Sequence, residues 1–325
     1  MSKRPVAMIT GVTTQVPIIV FALHKDGRRV PTQVTTAPIH NEAGEIIGGV
    51  ETFRDVSPIL VDLERAQKIQ RQALQQDLPK DPRLRFSTFF MSYDIVGGDY
   101  YAIQAIDADR YGFLLADMEG HGVAAALYAM HLSILWNRHF KLLKSPADFA
   151  AAVNEDLVKI FGSVVTFATA MCGIIDASAG TMCFTGAGGP TPLIIHENWA
   201  VDEPKSTGPP LGVMQDIPYK EKTVKLEAGD SILLFSDGAT EIQNAQNEWL
   251  GVEGFTQICH QFGLCFGWIW SAFRALSRRR YLFDLIEKCK IGTGYMFYLL
   301  SESAYVFELS CTWLKIIFIS GHCIR

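Results

Sequence analysis

Three aspartates stand where a strand-like run stops against glycine. Asp99 ends Val96-Gly97-Gly98-Asp99. Asp117 ends the apolar run from Phe113 and is followed by Met118-Glu119-Gly120-His121-Gly122. Asp237 ends the run Ile232–Ser236 and is followed by Gly238. A strand that ends on a carboxylate beside a glycine turn places oxygen donors at a sheet edge with backbone carbonyls close by. Hard cations such as Mg²⁺ or Mn²⁺ take that donor set, with few protein ligands and room for water. Two such ions lower the pKa of an attacking water and stabilise phosphoryl oxygens in an in-line displacement. Asp followed by Gly is also ordinary turn chemistry, with glycine supplying positive φ. Spacing alone leaves both readings open and names no reaction.

Two further residues join the candidates. His121 offers an imidazole that can protonate a leaving alkoxide near neutral pH, or it packs the Gly-His-Gly turn on the following helix. Glu241, four residues after Asp237, is expected to brace the loop rather than to bind metal.

The elements that must hold these residues are legible as pattern. Tyr111–Asp117, Phe167–Asp176, Thr181–Gly188 and Asp230–Asp237 read as strands, and Ala124–Trp136 and Pro146–Phe161 as helices. Upstream, Pro58–Leu78 carries Ile59, Leu63, Ala66, Ile69, Ala73 and Leu74 at helical spacing, with charged and amide residues opposite. Pro79 and Pro82 close it. The chain before it reads strand, turn, strand, with turn clusters at His24–Arg29 and His40–Glu45.

The segments VGGDYY, LADMEGHGVAAAL, GAGGPTPLII, TGPPLGV and LLFSDGATEIQN, in this order, resemble the bacterial SpoIIE/RsbU-type branch of PP2C-like phosphatases, from about Gln67 to Gly263. The helical segment AQKIQRQALQQDLP resembles that family's entry helix. The resemblance implies an α+β fold, a PP2C-like α-β-β-α sandwich, preceded here by a linker helix. It implies metal ligation by Asp99, Asp117 and Asp237 and by the Met118 carbonyl, two Mn²⁺ or Mg²⁺ ions, and hydrolysis of phosphoserine or phosphothreonine. The implied partner is a phosphorylated anti-sigma-factor antagonist of the STAS type. Residues 1–57 resemble the last strands of a PAS sensor domain, although a plain antiparallel hairpin fits them nearly as well. The expected organisation is a PAS-like fragment at 1–57, a linker and dimerisation helix at 58–82, the phosphatase domain at 83–263 and an atypical tail at 264–325.

The chain departs from the family pattern in three places. Ala102 stands where the family commonly has an acidic residue, and Gly189 where it commonly has His. The family also closes with a strand preceded by an Asp-Asp pair, one of them a ligand. After Gly263 no such pair occurs, and Asp284, in Tyr281–Glu287, is the last aspartate. The composition shift at that point fits a frameshifted tail or a divergent ending. The tail shows no helical or alternating register, so it is expected not to supply the closing strand. The second ion is then expected to bind weakly.

Composition narrows the rest. The chain has 325 residues, 49% of them apolar, and a formal charge of -5. It carries no basic block of the kind that binds nucleic acid. Its 7 cysteines show no Cys-x-x-Cys pair, which favours a reducing, cytoplasmic setting. The N-terminal residues lack the apolar stretch of a signal peptide. The apolar run Met296–Ser320 is broken by Glu302, Glu308 and Lys315 and reads as non-spanning.

Overall fold

The computed structural model describes residues 17–91, 94–162, 166–206, 208–241, 248–262 and 314–321. By contacts between backbone positions the chain divides into two units, at Ile69/Gln70. The N-terminal unit holds a three-stranded antiparallel sheet of β1 (Ile18–Leu23), β2 (Arg29–His40) and β3 (Ile46–Asp55), with β2 in the middle. The two turn clusters read from the sequence form its hairpin turns, where Asn41 Oδ1 accepts from the backbone N–H groups of Ala43 and Glu45. Helix α1 (Ser57–Leu74) begins in this unit and runs on into the second.

The second unit is built on two five-stranded sheets. One has the order β10-β9-β12-β13-β4, with β4 at Leu84–Met91, β9 at Leu193–Ile195, β10 at Val201–Asp202, β12 at Ser231–Phe235 and β13 at Leu314–Gly321. The other has the order β11-β8-β7-β6-β5, with β5 at Asp99–Ala105, β6 at Arg110–Met118, β7 at Ala168–Asp176, β8 at Thr181–Ala187 and β11 at Lys222–Lys225. Helices α2 (Val123–His139), α3 (Pro146–Phe161) and α4 (Gly251–Phe262) complete the unit.

Side-chain alternation makes three layers of core from these elements. On β5 and β6 the residues Ile103, Phe113 and Leu115 pack with Phe86, Ile232 and Leu234 of the other sheet, filling the space between the sheets. Their neighbours Tyr100, Ala102, Leu114 and Ala116 face the opposite way, onto Ala129, Leu132 and Trp136 of α2 and Phe149, Val153 and Leu157 of α3. Leu233 and Phe235 pack outward against Phe255 and Cys259 of α4. The result is the expected α-β-β-α sandwich. Central strands buried on both faces read as continuous apolar runs, which is why Phe113–Ala116 and Ile232–Phe235 stood out in the sequence.

Local signals fix the helix that backs the site sheet. Ser145 caps α3, its Oγ accepting from Asp148 N–H at 3.2 Å, with Pro146 in the first turn. Gly162 ends it at φ 55°. Helix α1 stops at Leu74 rather than at Leu78. The residues after it serve β5 instead: Gln76 Nε2 donates to the Tyr101 carbonyl, and Gln76 Oε1 accepts from Ile103 N–H.

The tail overturns one expectation. Leu314–Gly321 forms β13, paired antiparallel with β12 on one side and β4 on the other, so it is the inner strand that closes the first sheet. The run Leu314-Lys315-Ile316-Ile317-Phe318-Ile319 is a short, largely β-branched apolar stretch. Such a run suits a strand between two neighbours without showing strict alternation, so alternation does not mark it in the sequence. Asp284 and most of the apolar run before Leu314 lie outside the described residues. Among the described residues, no helix is long and apolar enough to cross a membrane.

Candidate metal-dependent phosphatase site

The register of β5 on β6 sets Asp99 directly opposite Asp117. Directly opposed residues share a face of the sheet. Both aspartates have the parity of Ile103 and Phe113, so both point into the space between the sheets. Asp99 is only 1% exposed. The approach to it depends on Gly98, whose carbonyl accepts from Met118 N–H at 3.2 Å. A side chain there would bring Cβ within 2.9 Å of Ala125 Cβ and 3.2 Å of the Met118 carbonyl oxygen. Glycine therefore lets the strand start lie against Met118.

The first sheet supplies the third aspartate. β12 ends at Phe235, and Asp237 opens a single 3-10 turn, Asp237–Ala239. The Asp237 carbonyl accepts from Thr240 and Glu241 N–H and from Thr240 Oγ1. This turn brings Asp237 against Asp117. The Asp117 carboxyl is held well above the ordinary carboxylate range, first by burial and then by the charge and hydrogen bond of Asp237, with Glu241 adding to the effect. Glu241 is itself shifted upward, by burial and by the charge of Asp237. A narrow cleft at this place is lined by Asp117, Thr169, Gly189, Pro190 and Ser236.

These groups fit a divalent cation of the Mg²⁺ class. A buried carboxylate whose proton affinity is raised by a second carboxylate against it, beside a backbone carbonyl, is a donor set that a positive ion relieves. Mg²⁺ is commonly held by one or two carboxylates with water completing its shell. Among the described residues, no three His, Cys, Asp or Glu side chains enclose an ion by themselves, so solvent would supply the remaining ligands.

His121 faces solvent. It lies in the turn between Gly120 (φ 89°) and Gly122 (φ 81°), largely exposed, with Nδ1 2.9 Å from Asp94 Oδ2. Asp94 lies shortly after the end of β4, five residues before Asp99. Nothing local in the sequence, neither a strand ending nor a glycine turn, marks Asp94 as part of a site. Ala102 is fully buried on the helix side of β5, away from the face that carries Asp99. The start of β13 lies at the Asp237 end of β12, since Ile316 pairs with Phe235. The residues leading into it, Ser310-Cys311-Thr312-Trp313, include no carboxylate.

Residues 107–264 match the family model of stage II sporulation protein E (SpoIIE). Over that stretch, just under half of the chain, the sequence is similar to SpoIIE/RsbU-type, PP2C-like phosphatases. Phosphoserine phosphatase RsbP of Bacillus subtilis is 26% identical to it over 183 residues, 55% of this chain and 45% of that protein. Phosphoserine phosphatase RsbU of the same organism is 25% identical over 193 residues, 59% of this chain and 57% of that protein. The chain thus spans about half the length of these relatives. In fold, the chain is similar to the SiaA-PP2C domain of Pseudomonas aeruginosa, with a TM-score of 0.59 at 20% identity, covering 82% of this chain and 98% of that one.

Proposed function

We propose that the SpoIIE-type domain hydrolyses phosphoserine or phosphothreonine on a regulatory partner protein, with Mn²⁺ or Mg²⁺ held by Asp99, Asp117, Asp237 and the Met118 carbonyl. The observation that carries this reading is the meeting of Asp117 and Asp237, from two different sheets, at one end of the sandwich. Bound divalent ions supply a lowered water pKa and charge to offset the phosphoryl oxygens. The chain's own residues do the rest. Asp117 and Asp237 bind and orient; burial of Asp99 excludes bulk water from its side of the site.

His121 is the proton donor to the leaving serine oxygen in this reading. Asp94 accepts from Nδ1–H, which fixes the tautomer and assigns the transferable proton to Nε2. Exposure suits that role, because the phosphorylated residue arrives on another protein. The partner in this reading is a phosphorylated STAS-type anti-sigma-factor antagonist, and α1 pairs with its copy in a homodimer. Ile59 and Ile69 of that helix's apolar stripe are exposed, which supports such pairing.

A second reading, a catalytically impaired module that binds its phosphoprotein, draws on the absence of a carboxylate in residues 310–313. One experiment separates the two: hydrolysis of a phosphoserine peptide by the purified chain in millimolar Mn²⁺, with and without chelator. Turnover that stops with chelator supports the enzyme. Peptide binding without phosphate release supports the impaired module.

A further inference from the structure

Ser236 is 4% exposed, and its hydroxyl is buried with no hydrogen-bond partner among the described residues. It continues the parity of Ile232 and Leu234, both of which face the space between the sheets, and it lines the cleft that Asp117 lines. The large majority of buried hydroxyls are hydrogen-bonded, so this one calls for a partner that the described residues do not provide. The opposite wall explains where that partner sits. At Gly189 a Cβ would meet nothing closer than 3.6 Å, from Ala170 N, Ala170 O and Thr169 Cβ. The position thus has room for a side chain, and glycine leaves it as a notch. Ser236, Asp117 and Thr169 give the notch three polar residues, enough to seat one water.

We propose that Ser236 is a positioning residue for the metal site, acting on Asp117 through a single water seated in the notch left by Gly189. The water accepts from the Ser236 hydroxyl and donates to the Asp117 carboxylate, and so holds that carboxylate in one orientation toward the ion. This rests on the metal-dependent reading above. It adds a residue to the site that does not itself touch the ion or the substrate.

The test uses the full chain and two independent variants, Ser236→Ala, which removes the donor, and Gly189→Ala, which fills the notch with a methyl group. Mn²⁺ affinity is measured by calorimetry, and metal-free stability by urea unfolding. Outer-ligand partners of metal sites commonly change affinity by about 10–100-fold. The expected result is a loss of about tenfold or more in Mn²⁺ affinity for both variants. Metal-free Ser236→Ala should be close to the parent in stability, because the hydroxyl it removes bonds to a water and to no described protein group. Two results overturn the proposal: affinity within twofold of the parent in both variants, or a loss of affinity matched by an equal loss of metal-free stability. Either leaves the phosphatase reading standing, provided the parent binds Mn²⁺. A parent chain that binds no Mn²⁺ overturns both.

Discussion

Gln70 grips both backbone polar groups of Gly97. Its Nε2 donates to the Gly97 carbonyl at 2.6 Å, and its Oε1 accepts from the Gly97 N–H at 3.1 Å. The same Nε2 lies 3.4 Å from the Ala126 carbonyl in the first turn of α2. Gln70 is buried, so one amide side chain satisfies the loop two residues ahead of Asp99 and ties it to the helix that follows the Gly-His-Gly turn. Gln70→Ala leaves a buried N–H and C=O unpaired, which costs about 1–3 kcal/mol for an unsatisfied group. Urea unfolding should show a loss of that order. Mn²⁺ affinity should fall as well, because Asp99 loses its fixed approach.

The sequence made β6, β7, β8 and β12 legible because they are buried strands, α3 because its apolar residues recur at helical spacing, and α2 because it is rich in the helix formers Ala, Leu and Met. Asp117 and Asp237 are legible because each closes such a strand beside a glycine, whereas Asp99, read the same way, opens β5 after Gly97-Gly98. Gln70, Asp94 and Ser236 escaped for a shared reason. Each acts through a partner distant in the chain, and nothing local marks a glutamine on a polar helix or a serine at a strand end as buried. β13 escaped because a strand between two neighbours does not alternate.

Closing the first sheet with β13 makes that strand sensitive to lost ladder bonds. Ile317 pairs with Leu234 on one side and Thr88 on the other. Proline has no N–H to donate and is confined to sheet edges and bulges. Ile317→Pro should abolish cooperative unfolding, read by circular dichroism against urea. A sharp transition like that of the parent would contradict the inner position of this strand.

His196 sets the pH dependence of stability at the far end of β12. Its Nε2 lies 3.1 Å from Asp202 and its Nδ1 2.9 Å from Asp230. The hydrogen bonds from Asp202 and then Asp230 raise its pKa above the ordinary imidazole value. A raised folded pKa means that protonation favours the folded state. The contribution is fully present below about pH 6.5, the unfolded value, and is lost as pH rises through the folded value. The stability difference between parent and His196→Ala should therefore be larger at pH 6 than at pH 9, by urea unfolding at the two pH values.

A proton donor matters for a poor leaving group and little for a good one. General acid catalysis contributes about 10²–10⁴-fold. His121→Gln should lower kcat on a phosphoserine peptide by about that range and leave hydrolysis of p-nitrophenyl phosphate nearly unchanged. Asp94→Asn should give a smaller loss in the same direction. Equal losses on both esters would assign His121 a structural role in the turn.

The central claim is that Asp117 and Asp237 hold the ion on which phosphate release depends. The most direct measurement is phosphate release from a phosphoserine peptide across a Mn²⁺ titration, for the parent and for Asp237→Asn, which removes a charge and keeps the volume. The account predicts slow turnover in the parent that requires Mn²⁺, stops with excess chelator and falls by about 100-fold or more in the variant. Turnover that persists in chelator, or that is the same in both proteins, would contradict it.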